Sequence, residues 1–283
     1  TTDDLKVHAS SNAQAVNVAG SVAYGKTAGI GAALAYNGLD NHISAYLAGG
    51  IVTAKTPSTG VSVDVEGKNT GKIYGLGAAV AASQTAAVNG TVVVNHGGSD
   101  TEAAVGEVRS EDGNNTVKET TIANANAVKV KAESDDVRVA AAGNVSASGK
   151  VAVGGAVAYN DVGGASTSTA KASQKTRAAL NKTTLTHVTS GSTSVEAVDG
   201  SKLTTAAFGV GGAGKVAVQG AAATALVNKT VTAEVQDSKI DKNTDKGAYV
   251  TVQADSKSTI NSMAVVGAGS GTFAGGAGVA VNR

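Results

Sequence analysis

Five short segments recur along this chain, each at a nearly fixed distance from a second segment that ends in Asn. The first kind alternates apolar and polar residues: Leu5-Lys6-Val7-His8-Ala9, Val61-Ser62-Val63-Asp64-Val65, Val128-Lys129-Val130-Lys131-Ala132, Thr193-Ser194-Val195-Glu196-Ala197 and Val250-Thr251-Val252-Gln253-Ala254. The second is an apolar run closed by Asn37, Asn95, Asn160, Asn228 or Asn282. Val7 to Asn37 spans 30 residues, and the intervals from Val63, Val130, Val195 and Val252 to the next Asn are 32, 30, 33 and 30. From each Asn to the following Val the distances are 26, 35, 35 and 24. A module of near-constant length thus alternates with a variable spacer. The module is structurally constrained, and the spacer tolerates insertion as surface loops do.

Period-two alternation over five to eight residues is a strand signature. Each module reads as an alternating strand, a polar turn such as Asp255-Ser256-Lys257-Ser258, a small-residue strand, a Gly turn and a third strand ending at Asn. The spacer opens on a further alternating strand, such as Thr230-Val-Thr-Ala-Glu-Val235. Composition agrees. Gly numbers 37, aromatics make up 3% of the chain, and there is no Trp or Cys. Apolar content resides in Ala and Val, so the core is thin and backbones lie close. Gly in helix interiors costs roughly 0.5–1 kcal/mol per site, and Val and Thr favour strands.

The expected fold is therefore all-β: a parallel β-solenoid (β-helix) of about five imperfect repeats, near residues 5–60, 61–126, 127–192, 193–248 and 249–283. Residues 1–283 form one repetitive segment, read as a piece of a longer protein. At ~20–25 residues per coil it makes roughly 11–14 coils, about 50–70 Å long. The alternative is a row of antiparallel β-sandwiches, one per repeat, although Ala/Gly strands fill a ~10 Å inter-sheet gap poorly.

The phrases Gly212-Ala-Gly-Lys215-Val-Ala-Val218, Gly149-Lys-Val-Ala-Val-Gly-Gly-Ala-Val-Ala-Tyr-Asn160 and Gly275-Gly-Ala-Gly-Val-Ala-Val-Asn282 resemble repeats of large filamentous adhesins of the leukotoxin type. More loosely, they resemble the filamentous haemagglutinin group exported by two-partner secretion. The resemblance extends over essentially the whole chain. It implies a bacterial secreted or cell-surface β-helical stalk that mediates attachment through its length and surface loops, not an enzyme. Gly20-Ser-Val-Ala-Tyr-Gly-Lys-Thr-Ala28 is also similar to a head repeat of trimeric autotransporters, but those recur at a much shorter interval.

A net charge of +1 leaves no electrostatic footprint for nucleic acid. No run approaches the ~20 apolar residues of a spanning helix, so membrane insertion of this segment is not expected. The expected partners are a host-cell or matrix glycan or protein, held by the long polar spacers at 110–126 and 173–192. Within the latter, Arg177-Ala-Ala-Leu180 suggests one helical turn. Uncapped terminal coils invite end-to-end self-association. Alternatives to the stalk are a β-helix that binds or cleaves polysaccharide and a self-associating extracellular filament subunit.

Several motifs bear on chemistry. Gly20 to Thr27 satisfies the phosphate-loop pattern, but Gly25-Lys26-Thr27 reads as equivalent to Gly149-Lys150-Val151, Gly214-Lys215-Val216 and Gly271-Thr272-Phe273, which marks it as a repeat turn. Gly209-Val-Gly211-Gly212-Ala-Gly214 matches a dinucleotide fingerprint without the required helix. Asp241, Asn243 and Asp245 place oxygen ligands at alternate positions, a candidate calcium site, with Asp237 able to join. Gly247 and Val252 depart from the EF-hand pattern, and no other cofactor is expected. His8, His42, His96 and His187 are widely spaced and read as surface residues. Glu111-Asp112 and Asp135-Asp136 are the candidate carboxylate pairs for glycan cleavage, but neighbours on a strand point to opposite faces.

Overall fold

The computed structural model describes residues 1–109, 114–163, 174–242 and 249–283. The chain makes five passes. The first runs β1 (Asp4–Ser11), β2 (Gln14–Gly25), β3 (Ala28–Leu47) and β4 (Gly50–Thr53). The second contains β5 (Val61–Asn69), β6 (Lys72–Ser83), β7 (Ala86–Val105), β8 (Glu107–Arg109) and β9 (Asn115–Val117). The third contains β10 (Thr120–Ser134), β11 (Val137–Ser148), β12 (Val151–Val162) and β13 (Gln174–Asn181). The fourth contains β14 (Thr183–Asp199), β15 (Lys202–Ala213), β16 (Val216–Val227), β17 (Lys229–Gln236) and β18 (Lys239–Lys242). The fifth contains β19 (Tyr249–Ser256), β20 (Thr259–Ser270) and β21 (Phe273–Asn282).

Each pass contributes one strand to each of three sheets. The first sheet is built on β1, β5, β10, β14 and β19, the second on β2, β6, β11, β15 and β20, and the third on β3, β7, β12, β16 and β21. Strands β13 and β17 extend the third sheet. Pairing among the described residues is parallel, except in the β8–β9 hairpin. That sets aside tandem antiparallel sandwiches.

The ladder register corrects three expectations. Val7, Val65, Val130, Val195 and Val252 lie side by side, so ladder neighbours are 58, 65, 65 and 57 residues apart. A pass is therefore nearly three times the expected 20–25 residues, because its strands reach 12–20 residues and three sheets are visited before the chain returns. Five layers at ~4.8 Å stack to roughly 24 Å, not 50–70 Å. The second correction concerns the module ends. Asn37, Asn95, Asn160, Ala225 and Asn282 occupy one rung. Counted from Val65 and to Ala225, the module is 30 residues in all five passes, and Asn228 lies outside the rung. Third, Ala28, Ala86, Val151, Val216 and Phe273 are in register. Lys26 therefore stacks over Gln84 and Gly149, one residue away from the equivalence read in the sequence.

The interior has two compartments. Between the first sheet and the far half of the third, Val61, Val63, Val65, Val128, Val130 and Val195 pack against Ala103, Val105, Ala178 and Leu180. Between the second sheet and the near half of the third, the filling is Ala35, Val93, Ala140, Ala142, Ala156 and Ala207. Such small residues bring the two backbones close. Larger side chains there alternate with glycine along a rung of the third sheet: Gly31, Asn89, Gly154, Gln219 and Gly276. A Cβ on Gly154 would lie 2.4–2.6 Å from side-chain oxygens of Asn144, Gln219 and Asn89. Large against small is how adjacent layers interdigitate. The Asn rung is itself a ladder: Asn37 donates to Asn95 at 2.9 Å, and Asn95 donates to Asn160 at 2.8 Å.

Outward positions of the first sheet carry opposite charges across strands. Asp64 lies between Lys6 and Lys129 in register, and Lys68 donates to Glu133 at 2.8 Å. Lys131 also binds Glu133, and although burial opposes charge there, the two ammonium groups hold that carboxyl down at about 2.

Candidate functional site

The segment joining β7 to β10 and the one joining β12 to β14 meet at one polar cleft of about 500 Å³. These segments overlap the two long spacers singled out for ligand binding, 110–126 and 173–192. Residues 110–113 and 164–173 of them lie outside the described residues. Arg177-Ala-Ala-Leu180, expected as a helical turn, is part of strand β13, paired with β7 and β17. The backbone hydrogen bonds of two flanking strands outweigh the helix preference of Ala and Leu. Strand geometry puts Arg177, Ala179 and Asn181 on one face, beside Glu234 of β17 and beneath the β8–β9 hairpin.

Arg109 and Arg177 are ion-paired in the cleft, which Lys175, Lys182 and Asp237 also line. Arg177 binds Glu107 through Nη1 and Glu234 through Nε at 2.8 Å, with a second contact from Nη2. Asn181 donates to the other Glu107 oxygen at 3.0 Å. Arg109 donates to Glu102 at 2.6 Å and to Asn115 at 2.7 Å, and the Tyr46 hydroxyl donates to Glu102 at 2.5 Å. Burial works against charge on Glu107, but the Arg177 and Asn181 hydrogen bonds prevail and hold its carboxyl below the ordinary range. Burial likewise opposes the Arg177 guanidinium, and its two carboxylates raise its pKa. Burial, then the bond to Glu102, pushes the Tyr46 phenol up to about 12. These groups therefore keep fixed protonation states at neutral pH. Fixed donors and acceptors suit recognition of a polar ligand better than proton transfer, which needs a group poised near the working pH.

A second ionic cluster is sealed inside. The Lys229 side chain is 3% exposed, and its ammonium reaches Asp199 and Ser201 at 2.7 Å, Ser134 at 3.0 Å and Asp136 at 3.1 Å. Asp136 also accepts from Asn69 at 2.7 Å and from Ser99. Its sequence neighbour Asp135 points elsewhere. Burial and then Glu133 raise the pKa of the Asp135 carboxyl. The Asp135-Asp136 pair thus diverges, and one member neutralises a buried lysine. Glu111-Asp112 lies outside the described residues.

Of the candidate calcium ligands, Asp241 is on β18 with the Lys239 ammonium 2.9 Å away. Asn243 and Asp245 lie outside the described residues. Among the described residues a different group of potential ligand atoms converges on the first sheet. His8, Asp64 and Glu66 place their ligand atoms within 4.8 Å of one another. His8 Nε2 is 3.2 Å from Asp64, and the Lys129 ammonium approaches Asp64 and Glu66 at 3.8 and 3.9 Å. That lysine offsets one of the two carboxylate charges and extends the cross-strand charge pattern to this group. Only the 58-residue ladder offset places His8 beside Glu66.

The remaining histidines divide. His42 and His96 lie beside Asp100 and Asp161 on the exterior. His187 is 1% exposed, contrary to a surface assignment. Its Nδ1 donates to the Ala125 carbonyl at 3.2 Å, and its Nε2 accepts from Thr193 at 2.9 Å. Lys26 and Thr27 form the turn between β2 and β3, with Gln84 N donating to Lys26 O at 3.3 Å. No helix follows it to complete a phosphate loop. Gly209 faces the thin compartment, 3.0 Å from Gly220 O when given a Cβ.

At the level of class, fold and cleft define an all-β protein of stacked parallel sheets with a charged surface cleft. No family model matches the chain, and neither a curated protein nor a solved structure matches it.

Proposed function

We propose that the chain is a β-solenoid segment of a secreted or cell-surface stalk, adhesive in role, with length as its main output. The observation that carries this is the constant 30-residue module held in register through five passes. Stacks of this kind grow by adding passes, because each contacts only its neighbours. The ladders of β1–β3 and β19–β21 have an open side, and open ladder edges accept further strands. The charged cleft is the place where such a stalk would hold a polar glycan or protein ligand, since two of its inter-strand segments converge there.

The test is a length ruler. A copy of residues 65–194 inserted after Ser194 adds two passes and preserves the Gly–Asn–Gly–Gln alternation in the thin compartment. Small-angle scattering should show the height along the stacking axis growing by ~10 Å at an unchanged cross-section of the pass. A wider particle, or beads of separate domains, would refute the solenoid stalk.

A further inference from the structure

We propose that the near half of the third sheet presents its outer face to a second copy of this chain, packed face to face. Twenty-five outward positions cover that face, at alternate residues of 28–36, 86–94, 151–159, 216–224 and 273–281. None of them is charged. Outward positions of the first sheet carry Lys6, Asp64, Glu66, Lys129 and Glu133 among others, so charge is compatible with an outward position in this architecture. Ile30 is 74% exposed, Leu34 67% and Val279 57%.

The face is corrugated. One ridge runs Ile30, Val88, Val153, Val218, and a second runs Leu34, Val92, Val157, Ala222, Val279. Between them lies a trough of Ala32, Gly90, Gly155, Gly220 and Ala277. A Cβ added to Gly155 or Gly220 would meet nothing within 4 Å. The fold itself therefore has no steric need for glycine there, although glycine weakens a strand and often marks close approach of another backbone. A two-residue offset seats one ridge of each copy in the trough of the other, the interdigitation of dry sheet interfaces.

Area selects the occupant. Nine residues at ~3.3 Å by five strands at ~4.8 Å give about 700 Å². That is close to the ~800 Å² each partner contributes to a standard interface, and above the ~300–600 Å² of the largest apolar patch on a typical monomer.

The experiment is sedimentation velocity on the full chain from about 1 to 100 µM, with Gly155→Leu, Val157→Lys and, on the second sheet's outer face, Val145→Lys. The expected result is reversible association of the wild type. Gly155→Leu and Val157→Lys should weaken it at least tenfold, while Val145→Lys leaves it intact. Gly155→Leu should keep its unfolding midpoint at the lowest concentration, because the trough is open in the single copy. A wild type that stays monomeric throughout overturns the proposal. So does association indifferent to Gly155→Leu, which is what pairing through the end ladders would give. Flotation with phosphatidylcholine–phosphatidylglycerol vesicles that is abolished by Val157→Lys overturns it in favour of a lipid surface.

Discussion

Gly212 and Gly214 are two residues apart at the end of one strand, yet replacing each with Ala should move stability in opposite directions. Gly214 lies in the β15–β16 turn, stacked directly on the turn between β11 and β12. Its N–H donates to Ser148 O at 3.2 Å, and Lys215 N donates to Lys150 O at 3.0 Å. A Cβ on Gly214 would stand 2.1 Å from the backbone oxygen of Gly149. A main-chain carbonyl cannot swing aside as a side-chain end can, so the two turns must separate. Overpacking of this kind costs about 1–3 kcal/mol. A Cβ on Gly212 meets nothing within 4 Å. There the methyl only restricts the unfolded chain, worth a gain of about 0.5–1 kcal/mol. At roughly 2 °C per kcal/mol for a chain of this size, Gly214→Ala should lower the thermal midpoint by about 2–6 °C and Gly212→Ala raise it by about 1–2 °C. Differential scanning calorimetry at a few micromolar reads both. Gly149→Ala should behave like Gly214→Ala, because its Cβ would lie 2.3 Å from Gln84 O. Wild-type stability in Gly214→Ala, or a loss in Gly212→Ala, would refute the stacked-turn reasoning.

Two further substitutions probe the buried polar groups. Lys229→Met should destabilise by about 3–5 kcal/mol in urea titrations, because it strands the Asp136 and Asp199 carboxylates without a counter-charge; adding Asp136→Asn and Asp199→Asn should recover much of that loss. For His187, burial lowers the pKa from its ordinary 6.5. The folded state therefore binds fewer protons than the unfolded state in that range, so the stabilisation is complete above pH 6.5 and is lost as pH falls through the lowered value. Urea titrations at pH 7.5 and 5.0 should show a smaller loss of stability on acidification in His187→Gln than in wild type; an equal loss in both would mean that His187 is not held neutral.

What the residues reveal by themselves and what they hide divide along a single physical line. Alternation and spacing are local, so the Val strands, the small-residue strands and the Gly turns are legible in the sequence. Register is not local. Residue identity favours Val63 over Val65, and Asn228 over Ala225, whereas the ladder follows the constant 30-residue interval. The length of a pass is hidden for the same reason. Periodicity marks a strand but does not say how many sheets the chain visits before it returns. The cleft needs the register too, since Arg177 reads as part of a helical turn until β7 and β17 flank it. His8 meets Glu66, and Lys229 meets Asp136, only through the stacking of passes. The outward apolar rows carry the point furthest. Ile30, Val88, Val153 and Val218 look like core residues in the sequence, because an alternating strand does not reveal which of its faces is inside. Once the register is known, the Ala, Asn and Gln of these strands turn out to fill the interior, and the large aliphatic side chains face outward. The second sheet follows the same rule, with Val18, Val22 and Phe208 exposed and Ala140, Ala142 and Ala207 buried, so in both sheets it is register and not residue type that decides which side is inside.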